Sequence, residues 1–228
     1  MRNPTHSGTA HEVRIPSGDA WLHGDLVLPP GAAALVLFAH GGGSGRHSAR
    51  NRLVAQRLQE AGIGTLLFDM LTAQEDQVDT QTREHRFDIP LMTRRMQDAT
   101  TWAESQPELH NACLGYFGAS TGSAAALIAA ARLGDRIAAV VSRGGRPDLA
   151  GSAAVAAVTA PTLFIVGGAD PAVLEVNKQA HAQLQAPSRL VIVPGASHLF
   201  EEPGTLDQVA KVAALWFSAY LLPVEQQA

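Results

Sequence analysis

Continuous apolar runs of strand length recur along this sequence, and most are separated by longer segments with the periodicity of helices. The clearest run covers residues 33–39 and contains no polar side chain. A strand of this kind is buried on both faces, which is typical of a parallel sheet covered by helices. The alternation therefore predicts an α/β protein with helices on both sides of a central sheet.

The same pattern extends along the chain and predicts one domain, residues 1–228, built on a mostly parallel sheet of eight strands without a large cap domain. The predicted strands cover 11–15, 20–28, 33–39, 65–68, 112–117, 137–141, 162–166 and 190–193. Helices are predicted over 48–61, 90–105, 120–133, 147–158, 172–184 and 205–221. Residues 70–89 are polar and acidic with no clear period, so we expect either a surface excursion or a small lid there.

Composition and charge argue against several classes of function. Apolar residues make up 46% of the chain and charged residues 17%, as in ordinary globular proteins. A net charge of −4 provides no basic surface for nucleic acid. The apolar run 124–131 is too short for a bilayer, and residues 1–10 lack the apolar core of a signal peptide. We therefore expect a cytoplasmic protein, monomer or homodimer, with no nucleic-acid or membrane partner.

The candidate nucleophile is Ser120, in Gly118-Ala119-Ser120-Thr121-Gly122, between a predicted strand and a predicted helix. This G-x-S-x-G pattern presents a serine hydroxyl at the tip of a sharp turn. The turn strains the serine backbone and brings the flanking residues together, which favours glycine on both sides. The helix N-terminus that follows favours negative charge developing at the serine.

The candidate general base is His198. A serine hydroxyl needs an adjacent base that is itself oriented by a carboxylate, and in this strand–turn–helix setting the chain order is nucleophile, acid, histidine. Downstream of Ser120 the histidines are His181 and His198. His181 falls within a predicted helix, whereas His198 follows the last predicted strand, where this order places the base.

The candidate acid is Asp170, directly after the strand predicted at 162–166. Because Pro171 follows it, Asp170 can also act as the N-cap of the next helix, and the two roles are compatible. Asp148 and Asp69 are weaker alternatives. Asp148 precedes a helical run and is typical of a cap, and Asp69 lies upstream of the serine, against the expected order.

The glycine-rich run that begins at His40 follows the apolar strand 33–39 and is the candidate oxyanion hole. Acyl transfer places negative charge on the substrate carbonyl oxygen, which backbone amides must approach closely. We assign one amide donor to Thr121 and the other to Gly41, Gly42 or Gly43, with Gly42 as the best single choice.

A phosphate-binding loop is the alternative for this run, but Arg46 stands where the G-x-G-x-x-G pattern needs glycine, and no Gly-Lys-Ser/Thr follows. We expect His40 to hold the loop in place and keep it as a candidate contact to substrate. No second ligand stands at a metal-binding spacing from it, so no metal is expected. No other cofactor is predicted either.

The chain resembles the dienelactone hydrolase-like branch of the α/β-hydrolase superfamily over nearly its whole length. More narrowly, it is similar to hydrolase domains that are sometimes fused to a phosphoribosyltransferase. The residues that carry this similarity are His40-Gly41, Arg46-His47-Ser48, Leu66–Asp69, Gly115–Ser120, Ser142–Asp148 and His198–Glu202. The resemblance implies a Ser-Asp-His esterase with Ser120, Asp170 and His198 as its triad.

The predicted function is a carboxylesterase that cleaves short-chain esters of small molecules through an acyl-enzyme. The namesake family members carry cysteine as nucleophile, so Ser120 departs from them and favours ordinary carboxylic esters. Lactone or thioester hydrolysis, acyl transfer by the same triad, and a non-catalytic binding protein are the alternatives. Arg143, after the sixth strand, could bind a substrate carboxylate, pair with Asp148 or cap a loop.

Overall fold

A computed structural model describes residues 8–223, so most of the polar segment 1–10 lies outside the described residues. Eight strands form one sheet in the order β1-β2-β4-β3-β5-β6-β7-β8. They are β1 Ala10–Ser17, β2 Ala20–Val27, β3 Ala34–Ala39, β4 Gly64–Phe68, β5 Cys113–Ala119, β6 Ala139–Arg143, β7 Thr162–Gly167 and β8 Ser188–Val193. Strand β2 is antiparallel to its neighbours β1 and β4, and the strands from β4 to β8 are parallel. The predicted eight-stranded, mostly parallel sheet is confirmed.

The described residues contain seven α-helices, and most of them pack against the two faces of the sheet. They are α1 Ala49–Glu60, α2 Ala73–Thr82, α3 Ile89–Ser105, α4 Thr121–Leu133, α5 Ser152–Ala157, α6 Pro171–Gln183 and α7 Thr205–Leu221. The strands of the sheet centre are buried at every position, because helices cover both of their sides. This is the burial that their uninterrupted apolar sequences predict.

The core consists of two layers of side chains, one on each face of the sheet. Alternate strand residues contribute to opposite layers: Leu37 and Phe164 belong to the layer under α3 and α4, and Phe38 and Ile165 to the layer under α1 and α7. This division follows from the two-residue period of strand side chains.

The segment 70–89, expected as an excursion or a lid, contains α2 and a short 3-10 turn at His85–Phe87. A capping box starts α2, since Thr72 and Glu75 each accept a hydrogen bond from the backbone of the other. Within α2 only Asp79 is buried. The helix is therefore stabilised by its cap and by polar contacts rather than by packing of an apolar face.

Strand β3 lies between β4 and β5, so the chain leaves β3 toward one side of the sheet and later returns on the other. Ala39, at the end of β3, is opposite Gly118 of β5. In open parallel sheets, the carboxyl ends of two such strands form a crevice where ligands bind. The glycine run and Ser120 both leave the sheet at this point.

Candidate active site

Ser120 occupies a strained turn between β5 and α4, with φ of 50° and ψ of −124°. Such a conformation costs a non-glycine residue about 1–3 kcal/mol and persists only where neighbouring contacts hold it. The backbone N–H of Ser120 donates to the carbonyl of Arg143 at 3.1 Å, and its own carbonyl accepts from the N–H groups of Ser123 and Arg146, each at 3.1 Å. These bonds tie the turn to β6 and to the first turn of α4.

The two glycines of the pentapeptide are required by different neighbours. A β-carbon on Gly118 would lie 2.5 Å from Cα of Ser123, at the start of α4. A β-carbon on Gly122 would lie 2.2 Å from the carbonyl oxygen of Ala39 and 2.5 Å from that of His40. The second glycine therefore lets α4 approach the end of β3, a contact that the local pattern alone does not reveal.

The structure brings Ser120, His198 and Asp170 into one hydrogen-bonded row. Nε2 of His198 lies 3.3 Å from Oγ of Ser120, and Nδ1 of His198 lies 2.7 Å from Oδ2 of Asp170. An ionised carboxylate can only accept, so Nδ1 carries the hydrogen and Nε2 is left free to accept from the serine hydroxyl. The arrangement can take a proton from a nucleophilic serine.

The weaker candidates for base and acid lie elsewhere. Asp148 forms an ion pair with Arg146 at 2.6 Å, and Asp69 forms one with Arg46 at 2.6 Å. The ring of His181, on α6, packs nearly perpendicular to the ring of Phe164. Among the candidates, the hydrogen-bonded row therefore contains only Asp170 as an acid.

The glycine run lies against the nucleophile. A β-carbon on Gly41 would lie 2.9 Å from Cβ of Ser120 and 3.6 Å from its Oγ. The N–H of Gly42 donates to Oγ1 of Thr121 at 3.1 Å, and the N–H of Thr121 lies in the first turn of α4, where helical amides lack helical partners. Gly43 has φ of 69°, which favours glycine and turns the chain away.

His40 has a structural role rather than contact with substrate. It is 5% exposed, its Nε2 accepts from the N–H of Met70 at 2.8 Å, and its Nδ1 donates to the carbonyl of Gly41 at 2.9 Å. Burial lowers the pKa of His40, which keeps the ring neutral, as accepting from Met70 requires. With both ring nitrogens occupied by backbone, the expectation that His40 contacts substrate is corrected, and its expected role in holding the loop agrees with these bonds.

The segment 70–89 packs directly on the glycine run, and this contact has no counterpart in the sequence prediction. A β-carbon on Gly42 would lie 2.6 Å from Cβ of Arg86. Arg86 is held by the fully buried Asp79, which accepts from its Nε at 2.7 Å and from its N–H at 2.8 Å. Arg95 of α3 binds the carbonyl of Met70 at 2.5 Å and Glu75 at 2.6 Å. Arg95 thus ties the segment to α3, whereas the pair of Asp79 with Arg86 lies within the segment and holds Arg86 beside Gly42.

Only the capping box of α2 could be recognised in the sequence. The pairs of Arg86 with Asp79 and of Arg95 with Glu75 join residues 7 and 20 positions apart without a recognisable motif. Sequence reasoning therefore missed all four side chains.

Arg143 is buried between the first turn of α1 and Phe200. It is 7% exposed, its Nη2 donates to Oδ1 of Asn51 at 3.5 Å, and its Nε has no hydrogen-bond partner among the described residues. Burial and the nearby Arg50 lower the pKa of Arg143 to about 10. Arg143 does not pair with Asp148, and so little of it is accessible that the geometry does not support contact with a substrate carboxylate.

Residues 8–223 contain neither a metal-binding cluster nor a membrane-spanning helix. No group of three or more His, Cys, Asp or Glu side chains is arranged to hold a metal ion. In the same part of the chain, no helix has the length and apolar character needed to cross a membrane.

Comparison with known structures identifies the fold. A protein described as dienelactone hydrolase from Anabaena variabilis superimposes with a TM-score of 0.92 at 52% identity, covering 95% of this chain and 99% of that one. The esterase Est1E from Butyrivibrio proteoclasticus superimposes with a TM-score of 0.76 at 18% identity, covering 94% and 98% of the two chains. The fold is therefore the α/β-hydrolase fold, as predicted.

Comparison with family models identifies the family. Residues 23–221 match the model of the dienelactone hydrolase family, and the chain belongs to that family. A protein of Mycobacterium tuberculosis is 51% identical over 210 residues, which are 92% of this chain but 46% of that protein. The name of that relative assigns it provisionally to the phosphoribosyl transferases. This chain thus spans about half the length of the curated relatives that it matches.

Proposed function

We propose that the chain is a serine carboxylesterase that cleaves short-chain esters of small molecules. The observation that carries the proposal is the row from Oγ of Ser120 through the ring of His198 to Asp170, beside the glycine run. Membership in a hydrolase family supports the same reaction class. The cytoplasmic location and the monomeric or homodimeric state stay predictions.

In the first half of the proposed mechanism, Oγ of Ser120 attacks the ester carbonyl carbon while Nε2 of His198 accepts the serine proton. Asp170 keeps the hydrogen on Nδ1 and stabilises the imidazolium. The carbonyl π electrons move to oxygen, and the oxyanion lies between the start of α4 and the glycine run. When the oxyanion collapses, the C–O bond to the alcohol breaks and His198 protonates the leaving oxygen.

In the second half, His198 takes a proton from water, and the hydroxide so formed attacks the acyl-enzyme. Collapse of the second oxyanion releases the acid and returns the proton to Ser120. Neither half requires a metal or another cofactor.

The preference for short acyl groups rests on the lack of an enclosing cap among the described residues. The segment 70–89 lies next to the glycine run and is tied to α3 through Arg95. No large cap stands over Ser120 within residues 8–223 to enclose a long chain. We expect faster hydrolysis of butyryl than of octanoyl esters. A faster rate on octanoyl esters would contradict this preference.

Lactone hydrolysis is the second candidate, favoured by the 52% identity to a protein described as dienelactone hydrolase. A lactone gives the same acyl-enzyme, but its alcohol stays attached. Rates on p-nitrophenyl butyrate, a thioester, a five-membered lactone and an enol lactone would rank the reactions, and an added alcohol or amine acceptor would reveal acyl transfer.

The decisive experiment compares purified wild-type protein with Ser120→Ala on p-nitrophenyl acetate and butyrate. We expect kcat to fall by about 10⁴-fold or more with the fold intact. Ser197→Ala, next to the base but outside the row, is a matched control that should keep most of the activity. Hydrolysis that is undiminished in Ser120→Ala would exclude the proposal. A wild-type protein inactive on every substrate and unreactive with a fluorophosphonate would favour a binding protein.

A further inference from the structure

The amide of Gly42 already has an acceptor in the structure. Its N–H donates to Oγ1 of Thr121 at 3.1 Å, across the gap between the glycine run and α4. The sequence predicts that this amide binds the substrate oxyanion directly. Because its N–H already donates to Thr121, it can give the oxyanion only a bifurcated hydrogen bond. The hydroxyl of Thr121 stands where the amide points.

A hydroxyl that accepts a hydrogen bond keeps its own hydrogen for donation. Because the Gly42 bond uses a lone pair of Oγ1, the O–H of Thr121 remains available, and no acceptor for it occurs among the hydrogen bonds of residues 8–223. Thr121 is 5% exposed, so bulk water does not readily satisfy that hydrogen. A buried donor without an acceptor is costly unless a ligand supplies one.

The hydroxyl lies between the two backbone segments that are expected to bind the oxyanion. Thr121 directly follows Ser120, and Gly42 directly follows Gly41, whose Cα borders the serine side chain closely enough that a β-carbon there would lie 3.6 Å from Oγ. Oγ1 of Thr121 bridges these two backbone segments. The side chain of Arg86 also packs against Gly42.

We infer that the side-chain hydroxyl of Thr121 is a catalytic hydrogen-bond donor to the oxyanion. The Gly42 N–H, which donates to Oγ1 of Thr121, polarises this hydroxyl. This inference rests on the proposed function. The O–H of Thr121 donates a hydrogen bond to the negatively charged carbonyl oxygen in both halves of the reaction, together with the N–H of the same residue. No proton is transferred and no covalent bond to Thr121 forms. A donor that itself accepts a hydrogen bond is strengthened, which suits an oxyanion better than a neutral carbonyl.

The test uses Thr121→Val, which has nearly the shape of threonine but lacks the hydroxyl, beside Thr121→Ser, which retains it. For p-nitrophenyl butyrate we expect Thr121→Val to lower kcat by about 10²–10³-fold with little change in KM, as loss of one oxyanion donor does elsewhere. Thr121→Ser should recover most of that loss. Affinity for a trifluoromethyl ketone analogue of the butyryl group should fall in parallel with kcat/KM in the valine variant.

Ser123→Ala is the matched control, because it also removes a buried hydroxyl from the first turn of α4, one without a hydrogen-bond partner among the described residues. It should leave kcat nearly unchanged. If Thr121→Val does not fold, Thr121→Ala removes the hydroxyl without adding bulk and should show the same loss. An unchanged or increased kcat in the folded valine or alanine variant would overturn the inference, since the hydroxyl would then only occupy the Gly42 amide.

The outcome is distinguishable from failure of the proposed function. If wild-type activity depends on Ser120 and Thr121→Val retains it in full, the esterase proposal stands and only the donor role of Thr121 fails. If wild-type activity does not depend on Ser120, the proposed function itself fails.

Discussion

The carboxylate of Asp170 lies 2.7 Å from Nδ1 of His198 through its Oδ2, while its Oδ1 accepts from the N–H of Val173 at 3.5 Å and caps α6. The same side chain thus starts a helix and orients the ring that faces Ser120. Since the helix fixes the carboxylate, Asp170 is placed before any substrate arrives.

Asp170→Asn separates these two tasks. Asparagine caps helices as well as aspartate does, so the free energy of unfolding should change little. The amide cannot act as a negatively charged acceptor for Nδ1–H, so kcat for p-nitrophenyl butyrate should fall by about 10³–10⁴-fold. Asp148→Asn is the matched control, because Asp148 pairs with Arg146 outside the row. Similar activity in the two variants would contradict the role of Asp170.

The acid stability of the segment 70–89 should depend on Glu75. Although burial opposes ionisation, hydrogen bonds from Arg95 and Thr72 lower the pKa of Glu75 to about 2. The unfolded chain therefore binds a proton to Glu75 at higher pH than the folded protein does. The stability that Glu75 contributes is present in full above its unfolded pKa of about 4.5 and is lost as pH falls toward 2.

Urea unfolding of the wild type and Glu75→Gln measures this contribution. From about pH 7 to about pH 3, the difference in unfolding free energy should be largest near neutral pH and should shrink below about pH 4. Glu84→Gln, which removes an exposed carboxylate that pairs with His85, is the control and should show a smaller difference. A difference for Glu75→Gln that is constant with pH would contradict the assigned pairing.

Asp79 should matter for both stability and activity, because it holds Arg86 against Gly42. Asp79→Asn weakens a buried pair and leaves the guanidinium of Arg86 without its anion, at a cost of about 1–3 kcal/mol. For a chain of this size Tm should fall by about 2–4 °C per kcal/mol. We expect kcat to fall as well, since the glycine run loses its support.

Thermal unfolding and steady-state kinetics of Asp79→Asn check this expectation, with Asp76→Asn as the control on the same helix. Asp76 is exposed and should tolerate the change. A large loss of Tm with kcat unchanged would show that the segment stabilises the fold without shaping the site.

Most of the fold is predictable because its strands have a clear signature in the sequence. The interior strands are continuous apolar runs, and α7 is amphipathic over its whole length, so the predicted bounds of 205–221 agree with the structure. Helix α2 could not be predicted from apolar periodicity. It buries only Asp79, so its sequence has no apolar period. Its capping box was the one local signal.

The candidate site divides in the same way. Ser120, Asp170 and His198 follow strand ends in a fixed order, and that order selected the three side chains that the structure brings together. The details of the glycine run could not be predicted, because they depend on contacts between distant segments. Thr121 meets Gly42 across 79 positions, and Arg86 reaches Gly42 from a segment without a motif.

The central claim is that Ser120 is a nucleophile activated by His198. The most direct measurement is peptide mapping by mass spectrometry after reaction with a fluorophosphonate, for wild type and His198→Gln. We expect a single phosphonylated peptide with the adduct on Ser120, and labelling that is far slower in His198→Gln. An adduct on another residue, or equal rates of labelling in the two proteins, would contradict the claim.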